Sequence, residues 1–458
     1  MVAPHTARRP PDDGDPDGPD RPGPSGRGRI GGLLADLRVR PERRRRTDLV
    51  VAVVLVVAAL VATVLVLAAG DGARTSLRLA SPPLAARAPG PVPTALVEAW
   101  RASSPSTATA LTVGPAVVTA GPTAEGGGVV SGHDAATGAV GWEYRRPEVP
   151  CTVGAGFGDV LAVFATDRPT GTWCSDVTTL DPATGARRPA RNTDVRPGTR
   201  LLADDGHVTA TGRNYLETWR SDLVATVEYG ALPTPVQSDP QPRLACAHGS
   251  VAVASGLVAV LERCPGETSD RLSVLDADPT NADKPGTRSS VLTGIVGGRL
   301  VAAGADRTAV AAPDGTLRTF DADGAPVAAV GLGPLAGPTT DPPGLTAGVR
   351  PAGPVLLWWT GTGTVALDPT DLTPRWTLAG SLGPGGAFPT AAPGPGTVVV
   401  PVPGGLAVAD AATGAVSTTL PVDRSGSDAG SGPVGVAVSG PVVVEQRGTT
   451  VVALRPPS

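Results

Sequence analysis

The hydrophobic pattern of this chain falls into two unequal parts. Residues 49–69 form an apolar run of 21 positions with Thr63 as the one polar member. At 1.5 Å per residue this run predicts a helix of roughly 32 Å, long enough to cross the hydrocarbon core of a bilayer. It also exceeds the apolar core of about 7–15 residues usual in a cleaved signal peptide. From Ala95 to Pro456 the apolar residues come instead in short runs broken by Gly, Pro and Asp. That rhythm predicts many short β-strands joined by tight turns.

The flanks of the apolar run set an expected topology. Arg38, Arg40 and Arg43 to Arg46 precede it, whereas Asp71, Arg74 and Arg78 are the nearest charges after it. The positive-inside rule then puts the N-terminus in the cytoplasm and the C-terminal part outside the cell membrane. Residues 1–48 read as a disordered cytoplasmic tail with a basic juxtamembrane run, and 49–69 as a single transmembrane helix. Residues 70–94, with Pro82, Pro83, Pro89, Pro91 and Pro93, read as a Pro-rich extracellular linker ahead of the β domain at 95–456.

Within the β domain the sequence repeats. Asp134 to Gly138, Asp181 to Gly185 and Asp410 to Gly414 are three copies of D-x-x-T-G, and weaker copies stand at Asp222, Asp276, Asp321 and Asp368. From Asp134 the steps are 47 to Asp181, 95 to Asp276, 45 to Asp321, 47 to Asp368 and 42 to Asp410. An Asp side chain can cap the backbone N–H groups ahead of it while Gly takes positive φ, so each copy predicts a hairpin turn. A unit divides into four strands, as at 298–303, 308–312, 315–320 and 325–330, which is the spacing of a β-propeller blade. The fold expected is all-β, an eight-bladed β-propeller after one transmembrane helix, with seven blades as the alternative count. A stacked solenoid is the architectural rival. Residues 451–454 supply the third strand of the last blade but no fourth follows, and Ala95 to Arg101 is the segment expected to complete it.

Composition sharpens this picture. The 60 Gly and 50 Pro argue against long helices in the β domain. The net charge of −4 divides into +3 over residues 1–48 and −7 beyond, so no basic field for nucleic acid exists.

The D-x-x-T-G copy followed by Trp at the fourth position after Gly, Asp134 to Trp142, resembles the repeat of the pyrroloquinoline-quinone-like propellers. That group includes quinoprotein dehydrogenases and a non-enzymatic propeller lipoprotein of outer-membrane β-barrel assembly. The resemblance implies the propeller fold over 95–456 and leaves both kinds of function open.

A search for chemistry gives little. The enzymes of that group carry adjacent cysteines over the quinone, whereas Cys151, Cys174, Cys246 and Cys264 are all separate. His5, His133, His207 and His248 have no metal-ligand spacing and read as surface or turn residues. The repeated Asp residues read as turn caps rather than calcium ligands. No catalytic residue, metal or cofactor is expected. Trp100, Trp142 and Trp376 occupy the repeat position and are expected to pack between blades. Of the consecutive Trp358 and Trp359, one is a candidate for exposure, and Trp173, beside Cys174 in a polar loop, is the better candidate partner contact.

All four cysteines follow the apolar run, in a compartment where disulfides persist. Cys151 opens the first strand of its blade and Cys174 follows the second strand, with Cys246 and Cys264 in the same two places two blades later. In an antiparallel hairpin these positions adjoin, which selects Cys151 with Cys174 and Cys246 with Cys264. Both bridges are then expected on the face that carries the blade-to-blade connections, including 230–242 and 331–350.

These features lead to the expectation of a non-enzymatic binding or scaffolding module in the cell envelope. It is held by the segment from Leu49 to Ala69, and its partner is an envelope protein or polymer of unknown identity. The alternatives are a degenerate quinoprotein-type oxidoreductase and a ligand sensor, the latter disfavoured by a tail too short for an output domain.

Overall fold

The computed structural model describes residues 46–204, 206–232, 241–333, 345–389, 396–425 and 432–457. The expected disordered tail, with Arg38 to Arg45, lies outside them, as do 233–240 and 334–344 of the two long connections. The chain divides into two compact units, residues 1–68 and 69–458. In the first, a helix runs over Arg46–Ala69, and its stretch Asp48–Val66 has a mean hydropathy of 3.3. Among the described residues it is the one helix long and apolar enough to cross a membrane.

The second unit is a ring of eight β-sheets. In chain order the blades cover 111–146, 150–192, 201–230, 247–292, 299–331, 349–379, 386–421 and 434–455. Within each, consecutive strands, A to D, pair antiparallel. First strands pack against each other between most neighbouring blades, and that of blade 8 lies against that of blade 1, which closes the ring. Blade 8 has only three strands of its own. Val97–Ser103 completes it, with Val97 opposite Arg455, Trp100 opposite Ala453 and Ser103 opposite Thr450.

Apolar residues of facing sheets form the core between blades. Val118 and Tyr144 of blade 1 meet Val160 and Phe164 of blade 2, for example. The D-x-x-T-G turns lock neighbouring blades together. Asp181 accepts hydrogen bonds from the Ala183 and Thr184 amides (2.9 and 2.8 Å) and from the Thr184 hydroxyl (2.9 Å). Gly185 sits at φ +77°. The Trp142 ring from strand D of blade 1 lies on that glycine, where a Cβ would come within 2.6 Å of it, and the indole N–H donates to the Pro182 carbonyl. Trp100 makes the same contact from blade 8 to blade 1, and Trp376 from blade 6 to blade 7.

The stretch read as a linker is not one. Ser76–Arg78 adds a fifth strand to the outer edge of blade 1, with Leu77 opposite Tyr144. The Ala80 and Leu84 amides then donate to the Thr184 and Ala183 carbonyls of blade 2. Arg87 returns to Asp134 of blade 1 at 2.7 Å, and Val92 packs with Leu96 into the core between blades 7 and 8. The prolines keep this segment extended as a strap across four consecutive blades, and two of the N–H groups it retains, those of Ala80 and Leu84, meet the turn carbonyls.

Candidate binding face

The A–B and C–D turns occupy one end of the ring, beneath the strap. The opposite end carries the D–A connections between blades and the B–C loops, and both disulfides are there. Cys246 directly precedes strand A of blade 4 and Cys264 directly follows strand B, with Ala247 opposite Arg263. Their Cα atoms are 4.1 Å apart. Cys151 is joined to Cys174, but by a different geometry from the hairpin expected. Cys174 lies inside the third strand, Gly171–Leu180, not ahead of it. Both cysteines occupy register irregularities, between Pro150 and Thr152 and between Phe164 and Thr166 with their partners, so the bridge crosses strand B. The tight turn between Arg168 and Gly171 starts strand C earlier than the polar loop sequence suggests.

Trp173 is also placed differently from the expectation of an exposed partner contact. It is 5% exposed. The Arg168 guanidinium lies 4.3 Å from its ring and that of Arg196 3.4 Å, and its indole N–H donates to Thr170. Cations attract the ring face, and two of them here close it from solvent. Arg168 is in turn paired with Asp194 at 2.8 Å. Trp358 is buried, and Trp359 donates to the Ser381 carbonyl.

Three buried glutamates, which sequence reasoning missed, pin the loops of this face. Glu445 in strand B of blade 8 is fully buried and receives Arg424 at 2.6 Å and Arg447 at 2.7 Å. Arg424 comes from the connection into blade 8 and also donates to the Val402 and Gly405 carbonyls. Glu262 of blade 4 receives Arg243 from the connection into that blade, together with Ser273 and the Tyr229 hydroxyl at 2.7 Å. Burial, with Glu262 beside it, pushes the Tyr229 hydroxyl up to about 12. Glu217 of blade 3 receives Arg191 at 2.8 Å and the Trp219 indole at 2.8 Å. Burial pushes its carboxyl above the usual range in spite of Arg191. Each glutamate follows at least one apolar residue within its strand, but Glu262 and Glu445 are followed there by charged or amide residues, so composition alone does not single them out.

Two of the four histidines are buried rather than surface groups, whereas His207 is half-buried in the turn between Leu201–Ala203 and Val208–Ala210, as a turn residue, and His5 lies outside the described residues. His133 is buried between Thr119 and the Gly138 carbonyl and stacks on Trp100 at 5.1 Å. His248 is buried with its ring nitrogen 3.0 Å from the Gly212 carbonyl. Burial holds both below the ordinary histidine range.

Near the axis, Arg350 of blade 6 donates to Thr109 Oγ1 at 2.6 Å ahead of blade 1, and towards the Val436 carbonyl of blade 8 at 3.4 Å. Blade 7 leaves this route open because its inner segment is glycine-rich and lies directly on blade 8, with the Val434 amide donating to the Leu382 carbonyl. A Cβ on Gly383 would fall 2.1 Å from the Val434 carbonyl oxygen. Burial lowers the Arg350 guanidinium to about 10. Around Cys246 and Cys264 the loop face exposes Leu244 and Val296, at 43% and 70%.

The chain is thus an eight-bladed β-propeller protein with D-x-x-T-G turn repeats and a twice-stapled loop face. No protein-family model matches the chain, and no curated protein matches it. Among solved structures it is similar to BamB from Moraxella catarrhalis, at 14% identity and TM-score 0.44 over 79% of this chain and 99% of that one. It is also similar to the computationally designed Ika8 protein, at 12% identity and TM-score 0.46 over 77% and 96% of the two chains. A third likeness is to BBS1N in complex with ARL6DN, at 11% identity and TM-score 0.39 over 80% and 98%. Likenesses at these scores carry no argument about this chain, and the fold rests on the blades themselves.

Proposed function

We propose that this protein is a membrane-tethered, extracytoplasmic propeller that works as a non-enzymatic binding or scaffolding module of the cell envelope. Its partner, an envelope protein or polymer, engages the loop face. The observation that carries this reading is the concentration of rigidity there: two disulfides and the Arg–Glu clamps at Glu262 and Glu445 fix the connections into blades 4 and 8. Fixed loops lose little entropy on binding, which is how a surface without a catalytic group gains affinity.

What supports the non-enzymatic reading over the quinone-enzyme alternative is that all four cysteines are joined in two separate bridges, neither between adjacent residues. One observation favours a second reading, a small anion held near the axis: Arg350 has no carboxylate partner among the described residues.

The test is crosslinking and co-purification of the full chain from its own membrane. Leu244→Asp with Val296→Asp should abolish partner recovery, while Asp306→Lys with Asp323→Lys on the turn face should not. Unchanged recovery with the first pair overturns the assignment of the face. A stoichiometric bound chromophore in the purified protein overturns the non-enzymatic reading.

A further inference from the structure

A propeller exposes the outer edge of every blade, and an unpaired edge strand invites another strand unless charge, proline or a cover protects it. Seven of the eight edges here are protected or polar. Blade 1 is capped by Ser76–Arg78. Blade 3 is covered where the Glu228 amide donates to the Ala282 carbonyl and Gln241 bonds both Glu228 and Gly230. Blades 2, 4, 6 and 8 carry Arg188, Arg288, Arg375 and Arg101 in their outer strands. Blade 7 is hydroxyl-rich, and Val92 to Thr94 of the strap line a cavity of about 350 Å³ against its Ser417 and Thr418.

Blade 5 differs. Its outer strand, Pro326–Gly331, reads Pro-Val-Ala-Ala-Val-Gly, has no polar side chain, and is exposed at all six positions; its one proline stands at the first position, opposite Phe320, and leaves the N–H groups of 327–331 in place. Where blades 1 and 6 place Trp142 and Trp376, four residues after the turn, blade 5 has Ala328, so the strand lacks the indole that docks those strands on the next blade. Among the described residues, its hydrogen bonds are those to strand C and its continuation.

We propose that this strand pairs with the same strand of a second copy of the chain, antiparallel about a two-fold axis, joining two four-stranded blades into one eight-stranded sheet. The pairing is self-complementary, as a two-fold interface must be. With Ala328 opposite Ala328 of the other copy, no charges oppose each other and the small side chains permit close approach. The nearest acidic residue, Asp323, stands roughly 33 Å from its counterpart at 3.3 Å per residue. The same pairing at blade 2 would bring Arg187, Arg188 and Arg191 against one another, so the sequence selects this edge and disfavours the others. Blade 1 shows within one molecule that an outer edge of this propeller accepts an added strand. A six-residue edge is small against the roughly 1,200 Å² of a stable interface, so the association is weak and dependent on concentration in the membrane.

The experiment places a lone thiol on the strand in the full chain, in its membrane. Ala328→Cys should yield a covalent dimer, and adding Val327→Lys with Val330→Lys should reduce its yield at least tenfold without changing the melting temperature. Thr377→Cys, equally exposed on the outer strand of blade 6, should stay monomeric. Thiols that remain freely titratable, equal crosslinking by Thr377→Cys, or capture of a different protein at Ala328→Cys would each overturn the proposal.

Discussion

The indole N–H of Trp142 donates to the main-chain carbonyl of Pro182 at 2.9 Å, so the outer strand of one blade is fastened to the turn of the next. Equivalent contacts at Trp100 and Trp376 make the D-x-x-T-G motif a joint between blades as well as a turn. Trp142→Ala should cost about 3–5 kcal/mol, the range for removing a buried aromatic side chain. Gly185→Ala should also destabilise, since it puts a Cβ both at positive φ and into that ring. Chemical denaturation of the two variants against the parent measures both effects, and a change under 1 kcal/mol for Trp142→Ala would contradict the joint.

Each disulfide closes a short segment, 23 residues for Cys151 to Cys174 and 18 for Cys246 to Cys264. The chain-entropy model gives about 3 kcal/mol for loops of this length. Replacing either pair by serine should lower the melting temperature, and reduction should lower that of the parent but not of the variant lacking both. Peptide mapping without reductant that recovers Cys151 joined to Cys246 would contradict the pairing.

Removing one member of a buried ion pair leaves the other charge stranded. Glu445→Ala strands Arg424 and Arg447, both nearly buried, and should cost about 3–5 kcal/mol. Arg101→Ala breaks a pair with Glu98 that is roughly half exposed, and should cost at most about 1 kcal/mol. Equal losses for the two variants would show that burial is not what sets their worth.

Two carboxyls should titrate with opposite consequences. Burial raises Glu217 in the folded state, so the folded chain holds a proton longer than the unfolded one. The stability this contributes is present below about 4.5 and lost as pH rises through the folded value. The amide and hydroxyl of Thr413 lower Asp410, whose contribution is present above its unfolded value and lost as pH falls through the folded one. Glu217→Gln should flatten the stability profile on the first side and Asp410→Asn on the second, as read by unfolding at a series of pH values.

The strap makes truncations informative. A chain beginning at Gly70 should melt like the parent, whereas one beginning at Thr94 loses the fifth strand of blade 1, the Leu84 contact and the Arg87 to Asp134 pair. The second should melt lower. Identical melting temperatures would mean that the strap lies on the propeller without supporting it.

The blade count, the closing strand and the docking tryptophans were legible because each depends on a local signal repeated at fixed spacing. The misreadings fell where one segment takes its environment from another. Residues 76–93 carry a linker's composition, and only the neighbouring turns of blades 1 and 2 turn them into a strap. Trp173 sits in a polar stretch, but Arg196 from the following connection covers it. Cys174 belongs to strand C because strand B extends to Arg168, which depends on pairing and not on composition. Glu217, Glu262 and Glu445 were passed over because their arginines lie 19 to 26 residues away or two residues along the same strand, and no fixed spacing marks them.

The strand at 97–103 is synthesised before every blade, yet its partner at 450–455 lies roughly 350 residues further along the chain. It therefore emerges first and finds its place last. Until the C-terminal residues arrive, blade 1 lacks its neighbour and Trp100 has no completed blade from which to dock on Ala135. A product cut short by even its final strand stays an open arc with unpaired edges, a form that proteases and chaperones recognise. Ring closure thus doubles as a check that the strand at 450–455 has been made.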